Sequence, residues 1–130
     1  MRIHHIAAYV ADIEASAAFY EKYFSARRNG LYHNPVTGLK TYFLTFGGGS
    51  EGASLELMTR PGLAGDAEKS MRYGYIHFCL SVGGERAVDD LAERIRAGGY
   101  EVLSGPRVTG DGMYECAVKD PDGNIVEITA

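Results

Sequence analysis

Two stretches of the chain show the same succession of alternating and helical apolar patterns. Residues 2–10 alternate between two faces, which predicts a β-strand. Residues 12–24 carry apolar positions at helical spacing behind Asp12, a typical helix N-cap. Alternation then predicts strands over residues 26–32, 39–46 and 53–59. The first half of the chain therefore follows the order β-α-β-β-β.

The pattern restarts after residues 60–73, which contain Pro61, glycines and mixed charges and are interpreted as a joining loop. A strand is predicted over residues 74–82 and a helix over residues 85–97, where Gly98-Gly99 ends it. Further strands are predicted over residues 100–104, 113–119 and 125–129, with a tight turn over residues 120–123 before the last.

The repeated order predicts an α+β domain with curved sheets and with helices packed on their outer faces. We expect one domain over residues 1–130, made of two βαβββ repeats at about residues 1–59 and 74–130. The loop over residues 60–73 joins them, and loops of this length in compact domains are usually functional or disordered.

Histidine and glutamate residues recur at the repeat offset. His77 follows His5 by 72 positions (5 to 77), and Glu127 follows Glu56 by 71 positions (56 to 127). Strand alternation places all four side chains on the face opposite the apolar residues that pack against the helices. On a curved sheet they would look into the concave face.

Two imidazoles and two carboxylates are suitable donors for a divalent metal ion, Ni²⁺, Co²⁺, Zn²⁺ or Fe²⁺, and leave positions open for water or substrate. A single histidine or glutamate on a strand is more often hydrogen-bonded or solvent-exposed. Four that recur in register favour a metal site. The sequence therefore predicts that His5, Glu56, His77 and Glu127 bind a divalent metal ion.

The two cysteines and a second histidine on the first strand are further candidates for the site. Cys79 shares the predicted face of His77 and either lines a pocket or, as is commoner for cysteine, is buried. Cys116 is interpreted as a core residue. His4 is predicted to point to the helix side, as a partly buried neighbour of His5.

Composition narrows the classes of partner. The 130 residues are 45% hydrophobic and 23% charged, which is ordinary for a globular protein. A net charge of −4, with no cluster of basic residues, argues against nucleic acid and anionic membranes as partners. No apolar run suits a membrane span, a strand predicted from residue 2 leaves no room for a signal peptide, and two cysteines make no disulfide framework. We expect a cytoplasmic protein with a small-molecule substrate.

These motifs resemble the vicinal oxygen chelate superfamily, which includes glyoxalase I, methylmalonyl-CoA epimerase, fosfomycin-resistance thiol transferases, extradiol dioxygenases and bleomycin-binding proteins. The likeness covers essentially the whole chain, and the His/Glu/His/Glu set is most similar to that of bacterial glyoxalase I. Thiol transferases and dioxygenases usually have no ligand at the Glu56 position, and drug-binding members generally lack the metal set. The likeness is carried by residues 3–6, 55–57, 76–82 and 120–127.

The resemblance implies the glyoxalase/bleomycin resistance/dihydroxybiphenyl dioxygenase fold, in which two βαβββ modules form a cupped mixed sheet around the metal ion. It also implies a homodimer whose sites are shared between chains. His5 and Glu56 would then meet the partner's His77 and the partner's Glu127.

The implied chemistry is an isomerisation through an enediolate, in which the metal ion stabilises charge on a substrate oxygen. A carboxylate removes a proton from the adjacent carbon and returns it to the neighbouring one. By resemblance, Glu127 is the first choice for this base and Glu56 is the opposing carboxylate. A carboxylate bound to a metal ion is a weak base, so it would have to leave the ion during turnover.

Two departures from glyoxalase I concern the substrate. Tyr9 stands where an arginine usually holds glutathione, and Arg60 stands where an asparagine contacts it. Both weaken the case for glutathione more than the case for a metal ion. Arg60 either pairs with a substrate carboxylate or phosphate or is a solvated loop residue. The predicted substrate-binding residues are Tyr9, Met58, Arg60 and Cys79.

The leading hypothesis is a metal-dependent lyase or isomerase, similar to lactoylglutathione lyase, that acts on a small oxygenated substrate. This substrate need not be a glutathione adduct. One alternative is an acyl-CoA epimerase, which would use the same enolate chemistry. Another is a non-catalytic, bleomycin resistance-type protein that sequesters a drug without needing a metal ion. A dioxygenase is less favoured because of Glu56.

Overall fold

The computed structural model describes residues 3–47, 52–63, 77–110 and 112–130. The chain divides into two compact units, residues 1–70 and 71–130. The predicted joining loop lies outside the described residues from residue 64 onward, and so does the part of the fifth predicted strand, over residues 74–82, that precedes His77.

The described residues of the first unit form one helix and one mixed sheet. Strand β5 is the partner of β1 in a parallel pair and of β4 in an antiparallel pair, and the sheet order is β1-β5-β4-β2, with β3 also paired to β4. The elements are β1 (His5–Tyr9), α1 (Ile13–Phe24), β2 (Arg27–Arg28), β3 (Tyr32–His33), β4 (Lys40–Thr45) and β5 (Ser54–Thr59).

The second unit repeats this plan. Its sheet order is β6-β9-β8-β7, with β6 parallel to β9 and the other pairs antiparallel. The elements are β6 (His77–Ser81), α2 (Glu85–Ala97), β7 (Val102–Val108), β8 (Tyr114–Lys119) and β9 (Ile125–Thr129). Two mixed sheets with a few helices confirm the predicted α+β class.

Both predicted helices are confirmed. Asp12 caps α1, since its Oδ1 accepts hydrogen bonds from the backbone N–H groups of Glu14 at 3.0 Å and Ala15 at 3.1 Å. Helix α1 ends at Ser25, which has a left-handed backbone conformation with φ of 53°. Helix α2 ends before Gly98, whose N–H donates back to carbonyls of the last turn.

The core of each unit lies between its helix and the inner strands of its sheet. Helix α1 packs over β2, β4 and β5, and α2 packs over β7, β8 and β9. The alternation of β1 puts Ile6 on the helix side and predicts that it packs against a helix, which is wrong: Ile6 is 40% exposed, because α1 covers the inner strands and β1 lies at the edge of the sheet. The fully buried side chains include Tyr20, Leu44, Leu57, Val88, Ile95, Val118, Val126 and Ile128.

Two predicted strands differ from the observed ones by more than their end residues. The strand expected over residues 26–32 is replaced by β2 and β3, because the Asn29 side chain accepts a hydrogen bond from the backbone N–H of Phe43 and interrupts the pairing. Strand β7 runs past the predicted end at Ser104, through an irregular stretch at Gly105. A side chain at Gly105 would place its Cβ 2.5 Å from the carbonyl oxygen of Glu115.

Candidate metal centre

In the first unit, the pairing of β1 with β5 sets the candidate ligands side by side. Ala7 pairs with Glu56, and His5 lies two residues earlier on β1, opposite Ser54. Paired residues of neighbouring strands project from the same face of a sheet. The imidazole of His5 and the carboxylate of Glu56 therefore share one face, away from α1.

These two side chains meet across the strand pair. Nε2 of His5 lies 3.5 Å from Oε2 of Glu56, and the two side chains are 40% and 16% exposed. Phe43 pairs with Glu56 from the β4 side, and its ring meets the His5 ring edge-on at 5.5 Å between centroids. An aromatic ring thus lies beside the pair, on its β4 side.

The second unit places His77 and Glu127 in the same relation. Cys79 pairs with Glu127, and His77 lies two residues earlier on β6. Nε2 of His77 is 3.0 Å from Oε2 of Glu127, with the side chains 34% and 22% exposed. Ala117 pairs with Glu127 from the β8 side, in the place that Phe43 occupies in the first unit. Each unit therefore carries one histidine–glutamate pair at an equivalent register.

The donor atoms in each pair fit a divalent cation. Ligand atoms about 2.0–2.2 Å from an ion such as Zn²⁺, at bond angles of roughly 90–110°, are about 3.0–3.5 Å apart. The two nitrogen–oxygen distances, 3.5 Å and 3.0 Å, fall in this range. Each pair offers one nitrogen and one oxygen donor. Within the described ranges no group of three or more His, Cys, Asp or Glu side chains comes together, so each pair would supply only two protein ligands.

The turn before β9 fixes the start of the strand that carries Glu127, and the predicted tight turn is confirmed. Asp120 is buried, and its carboxylate accepts hydrogen bonds from the N–H of Asp122, the N–H of Asn124 and Nδ2 of Asn124, at 3.0, 2.8 and 2.9 Å. Gly123 adopts a φ of 75°, which suits glycine. The turn thereby sets the register of β9 against β8.

The predicted substrate-binding residues divide between the units. Tyr9 is exposed and pairs with the half-buried Met58, on the same face as His5. Arg60 is exposed and directly follows β5. These positions are compatible with substrate contact, but they place only Tyr9 and Met58 beside each other.

Cys79 differs from the commoner expectation of a buried cysteine. It is exposed because it lies on the face of its sheet that points away from α2, the face that also carries His77 and Glu127. Partial shielding from water raises the pKa of its thiol, and the negative charges of Glu127 and Glu115 raise it further. The thiol is therefore protonated near neutral pH and is not an activated nucleophile. Cys116 is buried as predicted, and burial raises its pKa to about 11.

The contacts of two neighbours of the His5–Glu56 pair were not predicted from the sequence. His4, expected to be partly buried, is exposed, and its Nδ1 lies 2.9 Å from Nδ1 of His5. Phe43 flanks both His5 and Glu56. Alternation along β4 places Phe43 on the same face as Thr41. The register that sets it against Glu56 depends on strand pairing, which residue spacing does not reveal.

No helix within the described ranges is long and apolar enough to cross a membrane.

Comparison with protein families gives one match across nearly the whole chain. A model of the Glyoxalase/Bleomycin resistance protein/Dioxygenase superfamily matches residues 2–128. The probable lactoylglutathione lyase of Vibrio cholerae is 33% identical over 131 residues, covering 98% of this chain and 88% of that protein. The mitochondrial methylmalonyl-CoA epimerase of Homo sapiens is 30% identical over 133 residues, covering 98% of this chain and 72% of that protein.

Solved structures share the fold. The trypanothione-dependent glyoxalase I of Leishmania major matches with a TM-score of 0.79 at 22% identity, over 99% of this chain and 86% of that chain. A variant of a fosfomycin resistance protein from Listeria monocytogenes, complexed with Mn(II) and dihydroxypropylphosphonic acid, matches with a TM-score of 0.70 at 24% identity. That match covers 99% of this chain and 91% of the other.

Proposed function

Because the chain belongs to the Glyoxalase/Bleomycin resistance protein/Dioxygenase superfamily, we propose that it is a metal-dependent lyase or isomerase of the glyoxalase I type. Its substrate would be a small oxygenated molecule. The observation that carries this proposal is the equivalent histidine–glutamate pair in each unit, with its donor atoms at the separation of two ligands on one ion. Relatives named lactoylglutathione lyase, at about 30% identity, support the same class of reaction.

The residues proposed to hold the ion are His5, Glu56, His77 and Glu127. Two imidazole nitrogens and two carboxylate oxygens suit Ni²⁺, Co²⁺, Zn²⁺ or Fe²⁺. Since one such pair is found in the described part of each unit, we propose that a complete site takes one pair from each of two chains in a homodimer. When bound, the ion would supply positive charge that stabilises an oxygen anion developing on the substrate.

The chain's carboxylates are proposed to move the proton. Glu127 takes a proton from the hydroxyl-bearing carbon next to the substrate carbonyl, which leaves an enediolate, and then returns it to the former carbonyl carbon. The hydroxyl proton passes to the former carbonyl oxygen, so the two carbons exchange their carbonyl and hydroxyl groups. Glu56 is the opposing carboxylate. Both are partly shielded from water, at 22% and 16% exposure, which strengthens their interactions with a bound substrate while keeping them accessible to it.

The substrate is proposed to carry an anionic group that Arg60 contacts, next to a part that lies over Tyr9 and Met58. Arg60 is exposed at the end of β5, four residues after Glu56, and a guanidinium pairs well with a carboxylate or phosphate. A second candidate, an acyl-CoA epimerase, is favoured by the 30% identity to the human epimerase. It would use the same base and the same type of enolate.

The test is metal content and proton exchange on one set of purified proteins. Elemental analysis of the wild type should find on the order of one divalent ion per chain, and Glu56→Gln and His77→Ala should lose most of it. His33→Ala, at an exposed histidine on β3, is the matched control and should keep it. Unchanged metal content in the two ligand variants would refute the proposed site.

Activity then separates the candidates. Incubation with methylglyoxal and a panel of thiols tests the lyase, and deuterium uptake by methylmalonyl-CoA in D₂O tests the epimerase. A wild type that takes up no metal ion, but binds a drug tightly, would instead support a non-catalytic resistance protein.

A further inference from the structure

Two histidines stand next to each other at the start of β1, and their rings are in contact. Nδ1 of His4 lies 2.9 Å from Nδ1 of His5, with the ring planes at 84° and the centroids 5.2 Å apart. The backbone of His4 is held in place, because its carbonyl accepts a hydrogen bond from the N–H of Ser54 at 3.0 Å. The distance is that of a direct hydrogen bond between the two rings.

This hydrogen bond constrains where the protons are. A hydrogen bond between two Nδ1 atoms needs one ring to carry the proton there and the other to present a lone pair. The other nitrogen of His5, Nε2, faces Glu56 at 3.5 Å and is the atom proposed to bind the ion. A neutral histidine that binds through Nε2 carries its proton on Nδ1. His5 must then be the donor, and His4 the acceptor with its own proton on Nε2.

We propose that His4 is a positioning residue for His5. It accepts the Nδ1–H of His5, which holds the imidazole in the tautomer that exposes the Nε2 lone pair and orients that atom towards Glu56. This inference rests on the proposed function, since it concerns a ligand of the proposed site. Histidines that bind metal ions nearly always donate their second N–H to a carboxylate, a carbonyl or water, and such partners fix the ring and strengthen the ligand.

The second half of the repeat has no histidine at the equivalent position of the sequence. The residue before His77 is Ile76, whose side chain has no nitrogen or oxygen. His4 therefore makes the two halves of the repeat chemically different at this position. Its removal should weaken the contribution of the first pair and leave the second pair intact.

The experiment compares His4→Ala, His4→Asn and His33→Ala with the wild type. Asparagine is the conservative replacement, because its side-chain carbonyl oxygen can accept a hydrogen bond near the position of Nδ1. His33→Ala controls for the loss of an exposed histidine from the same unit. His4 is itself exposed and outside β1, so thermal unfolding should show that all four proteins fold.

The first readout is the Zn²⁺ dissociation constant, measured by competition with a chromophoric chelator. His4→Ala should weaken Zn²⁺ binding by about 10-fold, at the lower end of the 10–100-fold range for outer-shell partners, because water can partly replace an exposed side chain. His4→Asn should restore binding to within about 3-fold of the wild type. His33→Ala should bind like the wild type.

The second readout is the tautomer of each ring, from long-range ¹H–¹⁵N NMR spectra of the Zn²⁺-loaded wild type. His5 should carry its proton on Nδ1 and His4 on Nε2. Equal affinity of His4→Ala and wild type, no rescue by asparagine, or a proton on Nδ1 of His4 would each overturn the inference. Failure of the proposed function is distinct, because the wild type itself would then bind no Zn²⁺, and the inference would fall with it.

Discussion

Removing the Asp120 carboxylate should destabilise the hairpin that carries Glu127. Asp120 is 4% exposed and accepts three hydrogen bonds inside the turn between β8 and β9. The turn sets how β9 pairs with β8 and β6, and hence the position of Glu127 beside His77. We therefore expect Asp120→Ala to reduce both the stability of the protein and its affinity for a metal ion.

The magnitude follows from the three bonds. A hydrogen bond contributes a net of about 1 kcal/mol, so the loss of three lowers the free energy of unfolding by about 3 kcal/mol. Bonds to a charged acceptor are stronger, but Asp122 and Asn124 are only half-buried and their donors regain water in the variant. These two effects oppose each other, which keeps the expected loss near about 3 kcal/mol, or about 10 °C in melting temperature for a domain of this size.

Two companion variants divide this total. Of the three bonds to Asp120, Asn124→Ala removes the one from Nδ2 to Oδ2 and should cost about 1 kcal/mol. Asp120→Asn keeps one carbonyl oxygen that can accept both backbone bonds, so its cost should lie between the other two. Urea unfolding followed by circular dichroism measures all three. A loss below about 1 kcal/mol for Asp120→Ala, or equal losses for Asp120→Ala and Asp120→Asn, would refute this account of the turn.

Two other predictions concern the histidine–glutamate pairs and Cys79, the residue opposite Glu127. If each site joins pairs from two chains, the His5→Ala and His77→Ala variants should each be inactive alone. Refolding the two variants together should give heterodimers with one intact site and restore activity. No recovery of activity in the mixture would contradict a shared site. Cys79 has a raised thiol pKa, so its thiolate fraction is small below pH 9 and grows only as the pH rises further. Iodoacetamide should therefore label Cys79 more slowly at pH 8 than it labels a cysteine in a short peptide, and the buried Cys116 should stay unlabelled until the protein unfolds. Mass spectrometry measures the labelling, with Cys79→Ser as the control. Faster labelling of Cys79 than of the peptide would show that the thiolate is favoured instead.

Most of the fold could be predicted from the sequence because local signals agree with it. The Asp12 cap, the apolar stripe of α2 and the turn after Asp120 each mark a boundary by chemistry that acts within a few residues. The errors arose where pairing between distant segments decides the outcome. Asn29 bonds to the β4 backbone and divides one expected strand into two, and Gly105 lets β7 continue through an irregularity.

Burial at the sheet edges was the other point where the sequence was insufficient. Alternation shows which residues share a face, but it does not show which strands a helix covers. Ile6 lies on the helix side of its sheet, yet α1 packs over the inner strands and leaves Ile6 40% exposed. Phe78 and Leu80 are only half-buried on β6 for the same reason. An edge strand therefore looks like a core strand in a single sequence.

In each candidate pair the histidine and the glutamate lie diagonally across two neighbouring strands. The number of residues between the two repeats does not reveal this arrangement. In both units the histidine lies two residues before the strand position that pairs with the glutamate, a displacement of about 6.6 Å along the strand. The residue directly opposite the glutamate is small in each case, Ala7 in the first unit and Cys79 in the second. A small side chain there leaves room for the imidazole to lean over it and reach the carboxylate. The repeat therefore preserves a stagger and a small residue together with the two donors, and it is this combination that brings nitrogen and oxygen to the separation of two ligands on one ion.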